Sequence, residues 1–289
     1  MLTLLFDGVA YGMLLFVLAV GLAVTLGLMN FINLAHGAFA MAGGYVTVLL
    51  MNAFGVPFLW CLPIAFFGVA ALGALLERTL YRPMYAKPHL DQVLFSIGLV
   101  FMAVAAVDYF VGSRQQIVQL PAWLQGRFDL ADVGIGKYRL FIIVVCALLT
   151  VALQWVLART RFGSRLRASV DDARVASGLG LDVNRIFLLT FAVGSGLAGL
   201  GGALGAEVLG LDPSFPLKFM IYFLIVVAVG GTISITGPLL AALLLGIADV
   251  AGKYYVPKLG AFIVYSLMIV ILVWRPHGLL VRSGARAAR

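Results

Sequence analysis

The chain has 289 residues, 63% of them hydrophobic and 11% charged, and carries a net charge of +8. That balance excludes an ordinary soluble domain. The basic residues are spread over connecting segments and are not interleaved with aromatics, so the charge excludes a nucleic-acid surface and reads as membrane topology.

Nine nearly uncharged windows approach the roughly 20 residues that a helix needs to cross a bilayer core. They are 4–27, 31–52, 57–77, 92–111, 139–158, 186–210, 217–233, 237–252 and 259–274. Backbone groups in lipid must pair internally, so an all-α polytopic membrane protein is expected. Residues 1–289 form one transmembrane domain, since no polar stretch is long enough to fold alone. Met1 to Phe6 holds no basic residue, which predicts an uncleaved N-terminus.

The first motif sits between the first two windows. Gly27 and the pair Gly43-Gly44 bracket Asn30, Asn33 and His36. We expect a broken helix near 27–44. Asn30, Asn33 and His36 lie three apart and share one face if the segment stays helical. The broken backbone and these side chains could line a substrate pathway, or the side chains could simply bond between helices.

Cys61 and Cys146 fall inside windows and read as buried hydrophobes, with no disulfide or metal spacing. His36, His89 and His277 are far apart, and none reads as catalytic. The P-loop, GxSxG and HExxH patterns are missing, so the chain reads as a conduit.

Residues 159–186 form a charged island between apolar windows. Ser164 is placed to cap a helix start and Gly178 to end it in the left-handed conformation. Between them Leu166, Val170, Ala173 and Ser177 recur at helical spacing, with Arg165, Arg167, Asp171, Asp172 and Arg174 around them. This predicts a surface helix near 164–178 that docks into a protein groove. A weak amphipathic helix on lipid headgroups is the other reading.

Window 186–210 carries Ser195/Gly199, Ala198/Gly202 and Gly201/Gly205, small residues four apart that permit close helix packing. Glu207, Asp108 and Asp249 lie near window ends, where solvation at the membrane surface is expected. Gly230-Gly231 and Gly237-Pro238 mark a second interruption, and paired breaks in two halves of a chain point to a transporter's substrate site.

Thirteen of the 20 basic residues fall in three segments: 78–87, 159–185 and 275–289. Nine alternating crossings put all three on one side. The positive-inside rule makes that side cytoplasmic, with the N-terminus outside and the C-terminus inside.

Four stretches resemble permeases of branched-chain amino acid ABC importers, in particular their LivH-like subunit. They are the island, the run from Gly27 through Asn33-Leu-Ala-His36-Gly37 to Gly44-Tyr45, the segment Val229-Gly230-Gly231 to Gly237-Pro238, and Trp274-Arg275-Pro276-His277-Gly278-Leu279. The third departs from the Leu-Gly-Ser-Ile-Pro-Gly-like version more usual in the family. The resemblance implies a multi-pass permease of a bacterial inner membrane. It would pair with a second, LivM-like permease, two ATPase subunits and a periplasmic binding protein. It would bind no cofactor, with ATP and Mg on the ATPases. The island, through Leu179 and Gly180, would be the coupling segment to the ATPases. The implied cargo is branched-chain or similarly apolar amino acids. Urea, short amides or small carboxylates are the alternative within the family, and a secondary transporter or facilitator is the alternative outside it.

Overall fold

The computed structural model describes residues 1–29, 31–130, 133–231, 234–275 and 278–280. Among the described residues it is all-α apart from one small hairpin. The helices are α1 (Leu2–Met29), α2 (His36–Phe54), α3 (Phe58–Leu76), α4 (His89–Phe110), α5 (Lys137–Arg159), α6 (Arg161–Asp171), α7 (Ala173–Gly178), α8 (Val183–Leu209), α9 (Phe215–Gly230), α10 (Thr236–Tyr255) and α11 (Gly260–Trp274).

Seven helices among the described residues are long and apolar enough to cross a membrane, where the sequence predicted nine crossings. The other two expected windows are the shorter apolar helices Phe215–Gly230 and Phe262–Trp274. At 1.5 Å per residue, the 16 residues of α9 span about 24 Å, short of a core of about 30 Å. The shortfall arises because the chain after α8 folds back into the bundle before α9 begins. Leu211 and Phe215 are both fully buried there.

α1 and α8 form the centre. Leu14 to Val20 of α1 are buried in succession, as are Gly194 to Ala206 of α8. A helix apolar all round is a central one. The small residues of α8 allow this position. A β-carbon on Gly199 would lie 2.7 Å from Val69 of α3, and one on Gly201 2.9 Å from Leu18 of α1. Peripheral α4 and α5 turn Phe101, Met102, Leu148 and Trp155 outward, as lipid-facing helices do.

The bundle has two ends. Phe187 near the start of α8 stacks edge-on against Tyr85, their centroids 6.2 Å apart, which joins segment 78–87 to the start of α8, beside the island. The Leu279 amide donates to the Val229 carbonyl at 2.8 Å, bringing residues 278–280 to the end of α9. At the other end, Tyr255 meets Met1, and Arg127–Leu130 pairs with Val133–Gly136 as an antiparallel hairpin that the sequence reading did not anticipate. We call these the basic end and the hairpin end. Cys61 and Cys146 are free and buried, as expected.

Candidate functional site: two breaks and an elbow

The first interruption lies at 31–35, between α1 and α2, and it is buried: Phe31, Asn33 and Ala35 are each at most 2% exposed. Backbone freed inside a bundle must find partners in protein or water. Here two polar residues of α4 supply them. Gln92 accepts from the Ile32 amide at 3.3 Å, and Ser96 donates to the Ile32 carbonyl at 3.5 Å. Tyr81 donates to Asn33 Oδ1 at 3.1 Å, and His36 Nε2 donates to the Leu18 carbonyl at 2.8 Å. Asn30 lies outside the described residues.

These contacts revise the expected helical face. Residues 31–35 are not helical, so Asn33 and His36 do not share a face. Both are spent on interhelical hydrogen bonds in this conformation. Gly43 and Gly44 are not part of the break either, since they lie within continuous α2. A β-carbon on Gly43 would collide with the backbone of Gly199, and one on Gly44 would lie 2.8 Å from Leu211. Their role is to seat α2 on α8. Gln92, Ser96 and Tyr81 were missed. The signal was a polar pair spaced i, i+4 at the head of an apolar window.

The second interruption separates α9 from α10. Gly230 packs against Gly237 and Pro238, while Gly231, with φ of 79°, turns the chain out of α9. A cavity of about 430 Å³ at the basic end touches Ile235 and Thr236 of this turn, Ala23 and Val24 of α1, and Leu166 and Arg167 of the island. The structure therefore brings the second break and the island together.

The island is an elbow of two helices rather than one helix over 164–178. Asp172 is extended (φ −152°, ψ 103°) and separates α6 from α7. Its carboxylate accepts from the Arg174 amide at 2.8 Å and the Val175 amide at 3.0 Å, which caps α7. The cap of α6 is Thr160, which accepts from the Gly163 amide at 3.4 Å. Ser164 instead bonds back to the Arg161 carbonyl at 3.0 Å, inside the helix. The left-handed residue past the elbow is Gly180, with φ of 83°, not Gly178.

Burial also differs from the expected face. Gly163, Leu166 and Ser169 point into the bundle, with Val170 half-buried, while Ala173 and Ser177 are exposed. Gly163 is held against the Leu157 backbone, where a side chain has no room, and Arg167 donates to the Leu157 carbonyl. Arg165, Asp171, Asp172, Arg174, Gly178 and Gly180 are exposed. So are Val175 and Leu179, at 58% and 79%, two apolar side chains on the outer side of the elbow.

Residues 4–272 match the family described as branched-chain amino acid transport system, permease component. The chain belongs to this family. It is a multi-pass membrane permease. It is 29% identical to the high-affinity branched-chain amino acid transport system permease protein LivH of Salmonella typhimurium, over 96% of this chain and 94% of that one. It is 28% identical to the corresponding BraD of Pseudomonas aeruginosa, over 96% and 95%. LivM of Escherichia coli K12 is 30% identical, over 93% of this permease and 68% of that longer chain.

Of the three acids expected at membrane-surface positions, Asp108 and Glu207 are exposed, but Asp249 is 1% exposed. Lys253, one turn further on, donates to it at 2.6 Å, and Tyr222 of α9 does so at 3.4 Å.

Proposed function

We propose that this permease is one of two membrane subunits of an ATP-driven importer of branched-chain or similarly apolar amino acids. A periplasmic binding protein delivers the cargo, and two ATPase subunits dock at the basic end. The single observation that carries this reading is the elbow, whose capped α7 leaves Val175 and Leu179 facing away from the bundle. An apolar pair rimmed by Arg174, Asp171 and Asp172 suits a protein groove better than anionic lipid, which repels the acids. The basic residues of segments 78–87 and 159–185 at this end favour a cytoplasmic location, and with it a bacterial inner membrane. Closure of the ATPases would push the elbow. The cavity shared by Leu166, Arg167 and Thr236 offers the route by which α6 moves α1 and the α9–α10 turn.

The test is cargo-stimulated ATPase activity in the reconstituted complex. Asp172→Arg and Arg174→Glu reverse charge on the proposed docking surface, and Val175→Asp spoils its apolar patch without touching the cap. Loss of stimulation with normal membrane insertion is expected. Full stimulation in all three would end the coupling role. Uptake that persists with inactive ATPases would instead favour a facilitator.

A second proposal concerns the first break. Asn33 and His36 would reach cargo only in the opposite state, after α2 shifts against α1 and frees them from Tyr81 and Leu18. Asn33→Leu and His36→Leu are then expected to lower transport per assembled complex. Poor assembly with normal transport per complex would leave them as interhelical bonds only. Cargo identity is tested by a binding screen on the partner binding protein, in which urea, short amides and small carboxylates are the competing ligands.

A further inference from the structure

Two ion pairs at the hairpin end face a common cavity of about 250 Å³. Asp7 of α1 pairs with Arg139 of α5, and Asp249 of α10 pairs with Lys253. Both acids are enclosed, Asp249 almost completely and Asp7 at 18%, whereas the two bases are 44% and 58% exposed. The rest of the wall is largely apolar, with Leu14, Ile142, Phe219 and Val250 contributed by four different helices.

A second, more polar cavity of about 510 Å³ adjoins it. It is lined by hairpin-end residues including Arg127 and Glu207, and it shares Asp7 and Arg139 with the first. The Asp7–Arg139 pair thus stands between a polar vestibule and an apolar chamber that holds a second carboxylate and ammonium.

We propose that this chamber is a binding site for a zwitterionic α-amino acid with an apolar side chain. The proposal rests on the amino-acid reading above and specifies where such a cargo first lodges. The carboxylate of the ligand would meet the Arg139 fork and the Lys253 ammonium, and its ammonium would meet Asp7 and Asp249. Its side chain would lie on Leu14, Ile142, Phe219 and Val250. Two acids and two bases leave the chamber neutral. A neutral zwitterion therefore enters with no net charge to compensate, while a ligand lacking either charged end separates these pairs without answering all of their members. The volume lies just below the roughly 300–1,000 Å³ of drug-sized sites, which suits a ligand of amino-acid size. The charges are already paired when the chamber is empty. The ligand therefore exchanges one set of ion pairs for another, and release remains possible.

The experiment is uptake of radiolabelled leucine into proteoliposomes holding the whole complex with its binding protein, normalised to assembled complex. Asp249→Asn and Arg139→Gln are each expected to reduce uptake by about tenfold or more, the scale of about 1.4 kcal/mol. The decisive variant is the exchange Asp7→Arg with Arg139→Asp, which keeps an ion pair and inverts its direction. A ligand site predicts that the exchange still fails. Restored uptake would make the pair structural and overturn the proposal, as would wild-type uptake in both single variants. Competition supplies a second readout. With the unaltered complex preloaded without binding protein, leucine is expected to displace label, whereas leucinamide and 4-methylpentanoate, each lacking one charge, are not. Equal displacement by all three overturns the site. Failure of the underlying reading looks different, because the unaltered complex would then not import leucine at all.

Discussion

The first break, at 31–35, and the elbow that spans 160–182 satisfy their backbone by opposite means. At 31–35 the partners come from far along the sequence: Gln92, Ser96 and Tyr81 answer Ile32 and Asn33. At the elbow they come from the break itself, since Thr160, Asp172 and Asp182 each cap the helix that they precede. The first break is buried inside the bundle, so other parts of the chain must answer it. The caps of the elbow lie at the surface of the bundle, where a side chain two or three residues away is enough. Of the two, the elbow leaves apolar surface over, at Val175 and Leu179, and that surface is where a partner has room.

The largest expected effect tests how the first break is seated. Gly43→Val puts a side chain into the Gly199 backbone, so α2 cannot approach α8. Loss of assembled complex in blue-native gels is expected, and normal assembly would mean that the two helices separate at little cost. A smaller effect is expected from Gln92→Leu, which strips the partner of the Ile32 amide and should cost about 1–3 kcal/mol. A lowered thermal midpoint of the purified complex measures it. An unchanged midpoint would show that α4 does not hold the break.

At the elbow the effects should be local. Asp172→Ala removes the cap of α7 and should destabilise that helix by about 0.5–2 kcal/mol. Hydrogen exchange over 173–178 should quicken while the global midpoint stays put, and a fall in the midpoint would erase the contrast between the first break and the elbow. The smallest effect belongs to Ser164→Ala. Its hydroxyl only bonds back within α6, so stability should change by no more than about 0.5 kcal/mol. A larger loss would restore Ser164 as a cap.

Much of the fold was legible in residue order because hydropathy and length alone pick out helices that must cross lipid. The small residues of window 186–210 also revealed a close-packed helix. The expected site was legible only in part. Asn33 and His36 read correctly as polar groups facing protein. Their partners did not, because Tyr81 lies 48 residues from Asn33, and no local pattern encodes that pairing. Ser164 and Gly178 were reasonable choices by type, but Thr160 and Asp172 compete for the same job. Which residue wins depends on where Leu157 and Leu166 anchor α6.

Asp249 is the sharpest instance. From its position near a window end it read as solvated, since one residue cannot report what covers it.

By itself the sequence determined that this is a polytopic helical membrane protein, roughly where its apolar helices run, and which connecting segments are basic. Those properties are sums over local composition, and lipid rewards them segment by segment. The tertiary structure alone decided that Gly43 is a seat rather than a hinge. It also decided that Gln92 and Ser96 complete a break belonging to another helix, and that Asp7, Arg139, Asp249 and Lys253 meet around one chamber. Such pairings depend on which helix faces accept one another at close approach, and that choice is made by packing many segments at once.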